Sequence, residues 1–380
     1  MARHRSRYLI RHHLSRRPVI RARLVALALA GVSLAACSAS SGSGGAAAST
    51  YPSGSYGAPV TVTLLAHDSF AVSKSLLTAF ERRTGITVKV VTGGDAGEVV
   101  NKAVLTAGNP EGDVLFGVDN TLLTRALQGG VFERYVSPED ADLRPELKDQ
   151  TGGGYVTPID YGDVCVDADT GWFAKHHLSV PQTLADLTRP AYRGLLVAEN
   201  PATSSPGLAF LLATVARYGD PGWLTYWKAL KANGLTVVNS WDDAYNGEFS
   251  AAGKGTHPLV VSYGTDPAAA IVFAPSPKPS TPDIAVMDDS CFRQVEYAGV
   301  LAGTKHVAAA RAVVDWLLSP AVQADVPGSM FVLPARAGVA IPEVFQKWTA
   351  RPANPLSVPP AEITANRSSW IETWTEAIGQ

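Results

Sequence analysis

Ser240-Trp241-Asp242-Asp243-Ala244-Tyr245 places an aromatic ring beside two carboxylates, a combination that can hold a flat cation by stacking and charge. Trp241 and Tyr245 are four residues apart and share a helical face, which suits core packing equally well. Ser262-Tyr263-Gly264-Thr265-Asp266-Pro267 gathers hydroxyls and a carboxylate where a strand pattern gives way to a helix, a place where Asp can also be a plain cap. In Pro201-Ala202-Thr203-Ser204-Ser205-Pro206-Gly207-Leu208, Ser204 or Ser205 can cap a helix and Pro206 suits its first turn. Such an end offers free N–H groups and partial positive charge, enough for a phosphate or a hydroxyl, or it is only a capped helix. Sequence signatures of catalysis are missing: there is no G-x-x-x-x-G-K-[ST], H-E-x-x-H, G-x-S-x-G or C-x-x-C. Beyond the leader only His67, His176, His177, His257 and His306 remain, and no nucleophile lies beside one of them in a recognisable pattern.

The elements that must position these loops alternate. Val60–Leu65 reads as a strand, Ser73–Thr84 as a helix ended by Gly85, Ile86–Val91 as a strand, Glu98–Ala107 as a helix and Asp113–Val118 as a buried strand. Further strands are expected near 195–198, 235–239, 259–263 and 292–297, with helices near 307–318, 320–326 and 370–378. Trp370 and Trp374 read as core packing of the last helix. Strand–helix alternation predicts an α/β fold with mainly parallel sheets flanked by helices, and ligands beyond the carboxyl ends of the strands. The loops there include His67-Asp68-Ser69-Phe70, Gly93-Gly94-Asp95-Ala96-Gly97 and Asp119-Asn120.

Residues 1–36 hold eight Arg and no acid, and Leu24–Ala36 is an apolar run of 13 residues, the layout of a signal peptide. The run ends Leu34-Ala35-Ala36-Cys37, which resembles a lipobox and predicts lipidation at Cys37; Ser15-Arg16-Arg17 also resembles a twin-arginine signal. Residues 38–57 are Ser, Gly and Ala with almost no charge and read, with Cys37, as a flexible tether. Removing the leader leaves 24 basic against 34 acidic residues, a net charge of −10, which argues against nucleic-acid binding and suits a cationic ligand. Cys165 and Cys291 are the remaining thiols, and in an oxidising compartment they are expected to pair. Neither has metal-ligand spacing, so no metal is expected.

Six stretches then coincide with one family. They are Asp68-Ser69-Phe70, Gly117 to Leu123, Pro158-Ile159-Asp160-Tyr161-Gly162, Thr203 to Leu208, Trp241 to Tyr245 and Leu318-Ser319-Pro320-Ala321. From about residue 60 to its end the chain resembles the periplasmic thiamine-binding proteins, the receptor subunits of thiamine ABC importers. The resemblance implies a two-lobed type II periplasmic-binding fold, with 58–158 and 292–380 as one lobe and 159–291 as the other. It implies capture of thiamine or a thiamine phosphate in the cleft, delivery to an ABC permease, action as a monomer anchored to the membrane by lipid, no cofactor and no catalysis. By position, Asp95 and Ala96 should meet the ligand from the first lobe and Ser204 and Ser205 its hydroxyl or phosphate end. Trp241 should stack on a ring, and Tyr263, Gly264, Thr265 and Asp266 should line the cleft. The family has aromatics where this chain has His67, Ala269 and Phe331, and often Ser where it has Asp266; a carboxylate there favours a cation and repels a phosphate. A same-fold receptor for iron(III) or a polyamine, a secreted hydrolase and a structural lipoprotein are the competing readings. Iron would want clustered Tyr oxygens, and the sequence has no adjacent Tyr pair.

Overall fold

The computed structural model describes residues 59–378 except Asp149 and Gly253, so the leader, Cys37 and the tether lie outside the described residues. β1 (Val60–Ala66) runs parallel to β2 (Ile86–Thr92) and to β3 (Val114–Asp119). α1 (Lys74–Thr84) joins the first two, and Gly85 stops it at φ 73, a left-handed conformation that costs a residue without Cβ nothing. α2 (Ala96–Leu105) and α3 (Leu123–Gln128) follow the second and third strands.

The chain then enters β4 (Thr157–Asp169), turns through α4 (Thr170–Lys175) and builds a second α/β stretch. This comprises β5 (Leu196–Glu199), α5 (Ser205–Tyr218), α6 (Gly222–Ala232), β6 (Thr236–Val238), β7 (Leu259–Tyr263) and α7 (Asp266–Phe273). β8 (Ile284–Val300) returns, followed by α8 (Val307–Leu317), α9 (Pro320–Ser329), β9 (Leu333–Pro334), α10 (Glu343–Trp348) and α11 (Pro360–Ala377).

The strands form one sheet in the order β2-β1-β3-β8-β4-β7-β5-β6, with β9 on β4. Its two wings, β2-β1-β3 and β6-β5-β7, are built from parallel strand pairs throughout. Between the wings lie β8 and β4, antiparallel to each other and to the strands they meet. The expected mainly parallel α/β architecture thus occupies the wings, and the antiparallel centre is where the chain crosses between them twice. Cys165 of β4 and Cys291 of β8 form a disulfide between those crossing strands. The main core includes Trp227 and Trp374 edge to face at 5.4 Å, so the C-terminal helix is docked by a buried ring, and a smaller second cluster gathers Tyr245, Phe249 and Val260.

Candidate functional site

The loops at the carboxyl ends of the wing strands meet in one cleft. His67 follows β1, Asp95 follows β2, Ser205 follows β5, Trp241 follows β6, and Tyr263 and Asp266 flank the end of β7. All six line a small cavity of about 40 Å³, together with Glu296 of β8 and the segment Met330-Phe331-Val332. A larger hollow of about 720 Å³ shares Trp241, Asp266 and Phe331 in its lining and adds Asp68, Asp242 and Asp283.

The wings touch across this cleft. Asp95 caps α2, its Oδ1 accepting from the Ala96 N–H at 2.6 Å, while its Oδ2 accepts from the Trp241 N–H of the other wing at 3.0 Å. Nearby, a Cβ on Gly97 would lie 2.4 Å from the Thr203 carbonyl oxygen, so only glycine permits this approach. The inner cavity is therefore small because the wings are drawn together.

Trp241 is fixed on three sides. Its indole N–H donates to Ser262 Oγ at 2.9 Å, one face stacks on Tyr245 at 5.0 Å and 12°, and its edge meets Tyr263 at 6.4 Å. Tyr245 is buried, so the pair is at once core packing and a platform, with the ring of Trp241 reaching the cleft. Tyr263 donates its hydroxyl to Gln294 at 2.7 Å. Phe331 adopts φ 58, a conformation disfavoured for a residue with a Cβ, and its carbonyl accepts from the Thr265 hydroxyl.

The charged groups are buried in pairs. Asp160 and Glu296 are directly opposite on β4 and β8, and neither oxygen of Asp160 meets a conventional donor. Burial and the Glu296 charge push the Asp160 carboxyl well above the usual range, so it keeps its proton and donates a hydrogen bond to Glu296. Glu296 also lies 3.3 Å from His67 Nε2, at ion-pair distance but off hydrogen-bond alignment. Burial lowers the His67 pKa, but Glu296, Asp95 and Asp68 outweigh it and the net direction is upward. The His67 ring is seated over Gly117, where a Cβ would stand 2.3 Å from it.

Asp167 and Asp266 form the second pair. Asp167 is fully buried with no conventional donor on either oxygen, and burial with the Asp266 charge raises it well above the usual range. Asp266, 1% exposed, is pushed up to about 6 by burial although Asp167, Ser262 and the Tyr263 N–H all hydrogen-bond to it. The two carboxyls share a proton, as like charges at close range must.

Of the eleven ligand-contact residues expected from sequence, His67, Asp95, Ser205, Trp241, Tyr263, Asp266 and Phe331 line the cleft. Ala96, Ser204, Gly264 and Thr265 stand one layer behind it. Ser204 spends its hydroxyl on the Gly207 N–H at 3.4 Å, Gly264 donates its N–H to the Asp163 carbonyl at 2.8 Å, Thr265 is spent on Phe331, and Ala96 is buried in the first turn of α2. These four hold backbone in place rather than line the cavity. Sequence reasoning missed Glu296; its signal was the pair of polar residues Gln294 and Glu296 on one face of the strand between Phe292 and Ala298.

A two-winged sheet with a polar, ring-edged cleft between the wings is the architecture of a solute receptor. Residues 109–362 match the family of bacterial extracellular solute-binding proteins, and the chain belongs to that family. Within it, the chain is 31% identical over 328 residues to the thiamine-binding periplasmic protein of Escherichia coli K12, covering 84% of this chain and 94% of the relative. Among solved structures, a periplasmic thiamin binding protein superposes with a TM-score of 0.73 at 31% identity, over 87% of this chain and 99% of that one. A ferric binding protein from Campylobacter jejuni gives a TM-score of 0.66 at 16% identity, over 83% of this chain and 99% of that one, a likeness of fold alone. The chain is thus an extracytoplasmic solute-binding protein of the thiamine-binding group. No helix among the described residues is long and apolar enough to cross a membrane.

Proposed function

We propose that this protein captures thiamine, or a thiamine phosphate, between two lobes and delivers it to an ABC permease, without catalysing a reaction. The observation that carries the reading is the joint construction of one cleft by both wings, with rings at Trp241, Tyr263 and Phe331 and carboxylates at Asp95, Asp266 and Glu296. Thiamine is a pair of flat rings, one bearing a fixed positive charge; rings supply stacking area and carboxylates offset the desolvation of that charge. The lobes of this proposal are 58–158 with 292–380, and 159–291. They rotate about β4 and β8, because these are the two segments that pass between the wings. Opening about them admits the ligand that the drawn-together inner cavity excludes.

The leader and Cys37 fit a lipid-anchored receptor, the Ser/Gly/Ala stretch that follows serving as its tether, and the reading takes the receptor as a monomer. Loss of fatty-acid labelling in Cys37→Ala, with labelling of the unaltered chain, tests the anchor.

Iron(III) and a polyamine are the alternatives to exclude. Tyr263 is the one tyrosine lining the inner cavity, its hydroxyl is engaged by Gln294, and no cluster of three metal-ligating side chains occurs among the described residues. Isothermal calorimetry against thiamine, spermidine and iron(III) citrate tests the reading. Submicromolar binding of thiamine is expected. Binding of spermidine or iron with no response to thiamine would replace it.

A further inference from the structure

Six carboxylates border the two cavities: Asp95, Asp266 and Glu296 line the smaller, and Asp68, Asp242 and Asp283 join Asp266 in the larger. No Lys or Arg lines either cavity among the described residues. The one basic side chain, His67, faces Glu296 at 3.3 Å.

The start of α5 is the place where an anion would bind, and its donors are nearly exhausted. Pro206 has no N–H, the Gly207 N–H goes to Ser204 Oγ, and the Leu208 N–H goes to the Ser204 carbonyl at 3.0 Å. Ser205 alone reaches the cavity with an N–H and a hydroxyl, which is enough for a neutral hydroxyl group. A phosphate dianion presents three strong acceptor oxygens and would find only one residue of α5 to satisfy them. Behind the helix start lies Glu199, fully buried with neither oxygen meeting a donor, its carbonyl so close that a Cβ on Gly207 would stand 2.6 Å away. Burial pushes the Glu199 carboxyl well above the usual range, so the first turn of α5 is backed by a neutral acid and by no base.

Asp266 is the carboxylate common to both cavities. Asp95 accepts from two backbone N–H groups and Glu296 faces His67 and Asp160, whereas Asp266 accepts from Asp167, Ser262 and the Tyr263 N–H, none of them a basic side chain. We infer that Asp266, reinforced by the surrounding carboxylates, restricts this cleft to unphosphorylated organic cations, so that thiamine is taken and its phosphate esters are refused. The inference rests on the thiamine reading above and narrows it. A ligand's fixed cation supplies the counter-charge that Asp266 lacks, while a phosphate adds negative charge to a region already crowded with it.

Calorimetric titration of the full chain with thiamine and thiamine monophosphate at neutral pH tests the inference. The monophosphate should bind at least about 100-fold more weakly, the scale of like-charge juxtaposition in a desolvated site. Asp266→Asn, checked for cooperative melting, should narrow that gap by roughly tenfold or more, by losing thiamine affinity and gaining phosphate affinity. Asp283→Asn, on the exposed rim, keeps the test open should the buried variant not fold, and should narrow the gap by about two- to threefold. Equal affinity of the unaltered protein for both ligands, or an unchanged gap in folded Asp266→Asn, would overturn the inference and leave the thiamine reading standing. No binding of either ligand would overturn both.

Discussion

The two ends of β4 carry similar chemistry with different outcomes. At one end protonated Asp160 donates a hydrogen bond to Glu296, and Glu296 also faces His67; at the other protonated Asp167 donates to Asp266, whose hydrogen-bond partners include no basic side chain. Both pairs bury two acids side by side, which is costly unless a proton or a counter-charge compensates. The first end has a basic partner, His67, built into the fold. The second end has none, and its Asp266 lines both cavities. A receptor for a cation needs this asymmetry, because a carboxylate already neutralised by a neighbour gains little from a ligand.

The disulfide lies between those ends, since Cys165 separates Asp160 from Asp167 along β4 and ties that strand to β8. The double variant Cys165→Ser with Cys291→Ser should lose about 2–5 kcal/mol of stability, because a crosslink spanning so long a loop strongly restricts the unfolded chain. Denaturant melts check this, and a loss well below that range would mean the crossing strands hold together without it.

Neutralising each end separately probes the asymmetry directly. Asp266→Asn should weaken thiamine binding by about 2–4 kcal/mol, whereas Glu296→Gln should cost under about 1 kcal/mol. The latter should instead lower the His67 pKa, removing the charge that outweighs burial, which NMR titration of the imidazole reads. Equal affinity losses from the two variants would erase the distinction. Trp241→Ala, which removes the ring between them, should cost about 1–3 kcal/mol of binding, and unchanged calorimetric affinity would take Trp241 out of the site.

The smallest effect expected is on stability against pH. Asp160, Asp167 and Asp266 have folded-state pKa values raised by burial, so the folded protein binds protons that the unfolded chain releases. Their stabilising contribution is full below the ordinary carboxyl range and is lost as pH rises through about 6 and beyond. His67, also raised, has the same sign. Melting at about pH 5 should therefore occur a few °C above melting at about pH 8, and Asp167→Asn should shrink the difference. A melting temperature that climbs with pH would contradict the proton sharing at both ends.

The wings were legible in the sequence and the centre was not. β1, β2 and β3 announce themselves by β-branched runs, and Gly85 and Gly219 mark helix ends where their left-handed φ values now stand. The whole of β4 escaped notice because Thr-Pro-Ile-Asp-Tyr-Gly-Asp-Val-Cys-Val-Asp-Ala-Asp contains Pro, Gly and four Asp, residues that disfavour a central strand. Two of those acids, Asp160 and Asp167, are tolerated because they keep their protons and hydrogen-bond to a neighbouring carboxylate, a fact of three-dimensional contact. β8 was foreseen only at 292–297, since its first half packs through pairings with β4 and not through its own alternation. At the site, residues that reach the cleft and residues that merely hold its backbone fall in the same loops. Ser205 lines the cavity and Ser204 does not, a difference set by which hydroxyl caps α5.

A crystal structure of the protein with thiamine bound is the most direct test of the central claim. It should show the thiazolium within contact distance of Asp266, a ring against Trp241, and the hydroxyethyl group at Ser205. Thiamine lodged outside the cleft, or with its charge at Glu296 and nothing near Asp266, would contradict it.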